Sequence, residues 1–282
     1  MRRRLIISAD DFGRDPAVNA AVEEAHRHGI LSTASLMVGA PAMADAVARA
    51  KRLPGLHVGL HLVLVDGHPV SPPKTVAGLI GSDGQFDRHM GRAGVRFFFL
   101  PRVRRQLAIE IRAQFEAFHA TGLELDHVDA HKHMHLHPTV SALLVDIGRD
   151  YGVKAVRVPS EPASTLRAAF PQERAAAPPY RLWIEKLRRR LDRAGLAFND
   201  HVFGLAWSGN MVEERVLRLL AHLPEGVSEL YFHPATRSGP ALLAAMPGYR
   251  HAEELAALTS STVKARIAEL GITLTSYREL SR

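Results

Sequence analysis

Short apolar runs alternate with longer amphipathic stretches about eight times along 282 residues, and that rhythm leaves few folds open. Strand then helix, repeated, builds a parallel sheet covered by helices. The strand-like runs are Leu5–Ala9, Ala34–Val38, Leu56–Val63, Leu125–Ala130, Ala155–Val158, Phe203–Trp207, Ser228–Phe232 and Ile272–Ser276. Helical patterns lie between them. Ala17–His28 follows Pro16 and stops at Gly29, and Pro138–Tyr151 stops at Gly152. Val103–His119 places Val103, Leu107, Ile111, Phe115 and Phe118 on one face. Glu213–Leu223 and Thr262–Leu270 complete the set. Eight such units close a (β/α) barrel, with an open doubly wound α/β sheet as the competing architecture. Two stretches interrupt the rhythm. Residues 67–101 and 161–179, rich in Pro with Gly or Ala, are expected as long loop insertions. In a barrel such loops commonly build the substrate site.

Composition removes some classes of function. Cysteine is absent, which excludes disulfides and thiolate metal sites and suits a reducing compartment. The positive start, Met1 to Leu5, runs into Asp10 and Asp11 too soon for a secretory leader, and no stretch approaches a membrane span. A cytoplasmic protein is expected. The net charge of +7 comes from arginines scattered along the chain, so a nucleic-acid partner is not expected. Arg102, Arg104 and Arg105, and Arg188, Arg189 and Arg190, form local clusters.

Sixteen histidines are the unusual count, and many of them fall in short groups. The first strand ends in Ser8-Ala9-Asp10-Asp11. Two adjacent carboxylates there are costly unless paired or bound to a cation. A turn at Asp11 could aim both into one site, one as a ligand and one as a proton acceptor. An Asx turn or helix cap before Pro16 is the plainer alternative. In the third strand, His57, Gly59 and His61 share a face. The fourth runs Leu125-Asp126-His127-Val128-Asp129-Ala130-His131 and continues through His133 and His135 to His137. Asp129 is placed to orient an imidazole ligand. Parallel strands deliver their C-terminal ends to one rim, so Asp11, His61 and His131 can converge on a divalent ion and leave coordination positions open. His233, at the end of Leu230-Tyr231-Phe232-His233, would reach the same rim and could donate a proton. Arg157 is a charge in an apolar strand and needs a carboxylate, with Asp10 as the candidate. His133, His135 and Asn210 are candidates for substrate contact.

The motifs Ser-Ala-Asp-Asp-Phe-Gly, Gly-Leu-His-Leu, His-Val-Asp-Ala-His-Lys-His-Met-His and Phe-His-Pro-Ala, in this order over nearly the whole chain, resemble the YdjC-like carbohydrate deacetylases. The resemblance implies a single distorted TIM-like barrel domain over residues 1–282 and a homodimer. It also implies one divalent ion, usually magnesium, on Asp11, His61 and His131, with zinc compatible with the same ligands. By the same resemblance Asp10 is the base and His233 the acid. The segments Gly94–Pro101, His131–Pro138 and Asn199–Gly204 look like the hopanoid-biosynthesis-associated branch. That branch implies an N-acetylglucosaminyl hopanoid as substrate. Chitooligosaccharide deacetylation, a metal-dependent phosphoesterase and a non-catalytic sugar or lipid binding module are the competing readings. The Arg96–Arg105 segment, with three phenylalanines among arginines, suits peripheral contact with the inner membrane face. Packing on the barrel or at a dimer interface is its alternative.

Overall fold

The structure is a computed structural model that describes residues 3–173 and 180–280. In chain order the elements are β1 Arg3–Phe12, α1 Pro16–His28, β2 Thr33–Leu36, α2 Met43–Ala50, β3 His57–Leu62, α3 Met90–Phe99, α4 Pro101–Ala120, β4 Leu125–Ala130 and α5 Pro138–Gly148. They continue as α6 Ala163–Ala169, α7 Arg181–Ala194, β5 His201–Phe203, α8 Glu213–His222, β6 Gly226–Phe232, α9 Pro240–Ala245, α10 His251–Thr259, α11 Ser261–Glu269 and β7 Thr273–Thr275.

β1 explains why a sheet forms where it does. From Leu5 to Phe12 every residue is buried, which requires cover on both faces. Leu5, Ile7 and Ala9 pack into the main core with the helices, whereas Ile6 meets Ala155, Ala197 and Tyr277 on the concave side. Farther along that side come Ser8 and Asp10, so the interior turns polar toward the strands' C-terminal ends. Burying a Leu or Ile side chain stabilises by about 1.5–3 kcal/mol, so the outer face supplies the cohesion and the inner face is free for chemistry.

All strand pairs are parallel, in the order β4-β3-β2-β1-β6-β5. β7 pairs with Arg4–Ile6 of β1, along the edge that β2 occupies only from Ser8 onward. The sheet curls, and its two ends are joined by single bridges, Val128 to Val156 and Ala155 to Ala197. The result is the distorted, TIM-like α/β barrel expected, seven-stranded among the described residues. Two strands differ from expectation. Ala155–Val158 is reduced to bridges, because it must span the gap between β4 and the 197–203 segment. The strand read as Phe203–Trp207 is His201–Phe203 instead, ended by Gly204 at φ +124°.

The interruptions carry structure of their own. Residues 67–101 are irregular only as far as His89, then form α3, which meets α4 at Pro101. Residues 161–179 contain α6, and 174–179 lie outside the described residues. Among the described residues no helix is long and apolar enough to cross a membrane.

Candidate metal centre and cavity

Asp11, one residue before the end of β1, has φ +63°, a left-handed conformation that Asp tolerates better than most residues. This breaks the strand's alternation, so that Asp10 and Asp11 both line one cavity. The capping role open to them falls to Asp15, whose Oδ1 accepts from the Ala17 N–H at 2.7 Å. A second left-handed turn follows β4, where Lys132 and His133 have φ of 52° and 54°. It takes the chain off the strand line immediately after His131.

Asp11, His61 and His131, all buried, each bring a ligand-capable atom within 4.8 Å of the others. Asp11 Oδ1 lies 3.6 Å from His61 Nε2 and 3.3 Å from His131 Nδ1. His61 Nδ1 donates to Asp129 Oδ1 at 2.8 Å, which fixes the ring and turns Nε2 toward Asp11. Burial opposes charge on His61, but Asp129, Asp10 and Asp11 outweigh it and push its pKa up to about 9. Burial likewise opposes charge on Asp11. The neighbouring His131, Arg14 and His233 nevertheless hold its carboxyl well below the usual range. Asp11 Oδ1 and His131 Nε2 are buried without a hydrogen-bond partner. An orphaned carboxylate oxygen of this kind is rare and expensive, and a divalent cation between the Asp11 carboxylate and the two imidazoles would satisfy it. The residues therefore fit a metal ion.

Beneath them lies Arg157, fully buried. Its NH1 and NH2 donate to the two oxygens of Asp10, each at 2.8 Å. NH1 also meets Asp129 Oδ2 at 2.5 Å, NH2 meets Glu229 Oε1 at 2.7 Å, and NH2 donates to Ser8 Oγ at 3.1 Å. The Tyr277 hydroxyl closes the network from below by donating to Glu229 Oε2 at 2.5 Å. The Tyr231 ring lies 5.3 Å from the guanidinium carbon. Four carboxyl groups, Asp10, Asp11, Asp129 and Glu229, thus face two guanidiniums, Arg157 and Arg14, the latter 3.2 Å from Asp11 Oδ2, a balance that leaves room for an added cation. Asp10, His61 and Asp129 form a second metal-compatible group, but Asp10 and Asp129 already serve Arg157. The arrangement suits one ion rather than two.

The cavity above this centre has a volume of about 740 Å³. His233, nine-tenths buried, lines it from the end of β6. Its backbone N–H donates to Glu254 Oε2 and its carbonyl accepts from His251 Nδ1, both at 2.5 Å. The ring rests on Tyr249, and Nδ1 has no partner. His133 lines the cavity as well, and burial with the nearby Arg157 holds it well below its usual pKa. His135 is not among the lining residues. Its Nε2 donates to the Arg157 carbonyl at 2.9 Å, and burial lowers its pKa to about 4. Asn210 is also outside the lining, its Oδ1 3.4 Å from Arg250.

Sequence reasoning passed over Glu229, Tyr231, Tyr249 and Glu254. Glu229 carried a signal: a charge in the buried run Ser228–Phe232, four residues before His233, asks for a partner as Arg157 did. Tyr249 and Glu254 carried none, because the turn before α10 and α10 itself bring them in.

The family model described as YdjC-like protein matches residues 4–269. A carbohydrate deacetylase of Geobacillus stearothermophilus is 31% identical over 282 residues, covering 99% of this chain and 98% of that protein. One from Vibrio vulnificus YJ016 is 32% identical over 279 residues, covering 98% and 96%. A crystal structure from Enterococcus faecalis V583, named as a candidate cellobiose-phosphate cleavage protein, superimposes with a TM-score of 0.78 at 25% identity, with both chains fully covered.

Proposed function

The chain belongs to the YdjC-like protein family, and from that premise we propose that it hydrolyses the N-acetyl group of an N-acetylated sugar, giving acetate and the free amine. The observation that carries this reading is the meeting of Asp11, His61 and His131 from three strand ends, with Asp10 and His233 lining the same cavity. Asp11, His61 and His131 would hold one divalent ion. When bound, that ion supplies Lewis acidity toward the acetamide carbonyl and an acidified water. Asp10, clamped by both terminal nitrogens of Arg157, accepts the proton of the attacking water. As the C–N bond breaks, His233 gives its proton to the departing nitrogen, which is too basic to leave as an anion. Each proton transfer contributes about 10²–10⁴-fold. Magnesium follows from the family resemblance, and two imidazole donors suit zinc equally.

The substrate we infer is an N-acetylglucosaminyl hopanoid. Val95, Phe98, Phe99, Leu136, Trp183 and Met246 give the cavity a broad apolar lining beside its polar residues, suited to a polycyclic aglycone. A second cavity of about 630 Å³ shares Arg14, Asp66, Lys132 and Ala245 with the first. It favours chitooligosaccharides as the second reading, since a further sugar ring has room there. A two-metal phosphoesterase is disfavoured because Asp10 and Asp129 are held by Arg157. We take the protein as a single-domain, cytoplasmic homodimer, on the family resemblance and the absence of cysteine.

The test is mass spectrometry of metal-reconstituted protein with the glycosyl hopanoid and with chitobiose. Loss of one acetyl group is expected, faster from the hopanoid. Phosphate release from a chromogenic ester without deacetylation would overturn the reading.

A further inference from the structure

The mouth of the cavity is rimmed by side chains that water should not see. Val95, Phe98, Phe99 and Leu100 at the end of α3 are 59%, 55%, 68% and 47% exposed, and Leu182 and Trp183 at the start of α7 are 80% and 43% exposed. They form one patch. Phe98 and Trp183 both pack on His137 edge-to-face, with ring centroids 6.0 and 5.6 Å away. Apolar rims of this kind mark an interaction surface. The charge beside it names the partner. Arg102, Arg104 and Arg105 follow Leu100 on the first turn of α4, exposed and without a carboxylate partner among the described residues. Along α7, Arg181, Lys186, Arg189 and Arg193 line a groove with Glu185 as its single acid. By contrast Arg92, farther from the rim on α3, is neutralised by Asp87 at 2.5 Å.

We propose that this rim is a docking surface for an anionic bilayer. The tips of α3 and α7 enter the acyl boundary, and the α4 and α7 arginines sit among acidic headgroups. The geometry is that of an interfacial helix pair, with apolar residues at the tip and cations just behind. The cavity then opens onto the lipid, and a lipid-linked sugar can slide in without its tail crossing water. This purpose rests on the glycolipid reading of the site, but the docking itself does not.

Flotation with phosphatidylcholine vesicles and with equal phosphatidylcholine–phosphatidylglycerol vesicles tests it, using the full chain. The protein should float with the anionic vesicles only, and about 0.5 M salt should release most of it. Arg102→Gln, Arg104→Gln and Arg105→Gln together should lower vesicle partitioning about one-hundredfold, at about fivefold per charge. Leu100→Ser with Leu182→Ser should lower it at least about tenfold. Neither set lines the cavity, so acetate release from a soluble N-acetylated sugar should be unchanged in both. Failure of the wild type to float, or flotation untouched by both sets, overturns the proposal. So does a face sealed between two copies, seen as a dimer that Leu182→Ser splits while no vesicle binds. A protein that floats as described but releases no acetate upholds the docking and removes the proposed function.

Discussion

Asp129 links the two halves of the centre. One oxygen accepts from His61 Nδ1 and the other meets Arg157. Asp129→Asn should keep the fold and free the His61 ring, weakening divalent-metal binding by about 10–100-fold in calorimetric titration. Arg157 is different, because removing it strands Asp10, Asp129 and Glu229 in a buried site. Arg157→Met should cost about 3–5 kcal/mol in urea unfolding as well as activity. His135 gives a pH dependence. Its folded pKa of about 4 lies below the unfolded value near 6.5. The unfolded chain therefore takes up a proton first as pH falls, and stability is lost between pH 6.5 and 4, by up to ~3 kcal/mol. His135→Asn should flatten the stability profile across that window. His135 also shows where period-two reasoning stops. The alternation that aligned His127, Asp129 and His131 ends when Lys132 and His133 turn left-handed, a conformation with no sequence signal in two non-glycine residues. Asp11, His61 and His131 were legible because parallel strands leave little choice about where their ends go.

Elements were legible where one face is uniformly apolar and a cap marks the end. α1, capped by Asp15, opened by Pro16 and followed by Gly29, and α4, with Val103, Leu107 and Ile111 buried, fall nearly where expected. α3 stands where the sequence predicts a loop, because its apolar side is split: Ala93 and Phe97 are buried while Phe98 and Phe99 are exposed. The bridge segment Ala155–Val158 has the composition of a strand, but its neighbours curve away from it. Strand packing makes its own demand at Gly59. A Cβ there would lie 2.3 Å from the His127 ring, which stacks on Tyr277 at 4.4 Å. Gly59→Ala should destabilise by about 1–3 kcal/mol by forcing β3 from β4, read as a lowered melting temperature.

At the scale of the molecule, the chain divides its barrel between cohesion and chemistry. The outer faces of the strands hold the helices, and the inner face stacks Ile6 and Tyr277, then the Arg157 network, then the open centre. The C-terminal segment closes the lower end, with Tyr277 on Glu229 and the Arg278 N–H on Asp126. Those contacts join residues 48 and 152 positions apart, which is why a pass along the sequence could not find them. The central claim is that the carboxylate and two imidazoles hold one divalent ion that the deacetylation requires. It is tested most directly by following bound metal and acetate release together, in the wild type and in Asp11→Ala, His61→Ala and His131→Ala. One ion per chain in the wild type, with metal and acetate release lost in parallel in each variant, is the predicted result. Undiminished acetate release from a variant or a chelated protein with no bound metal would contradict it.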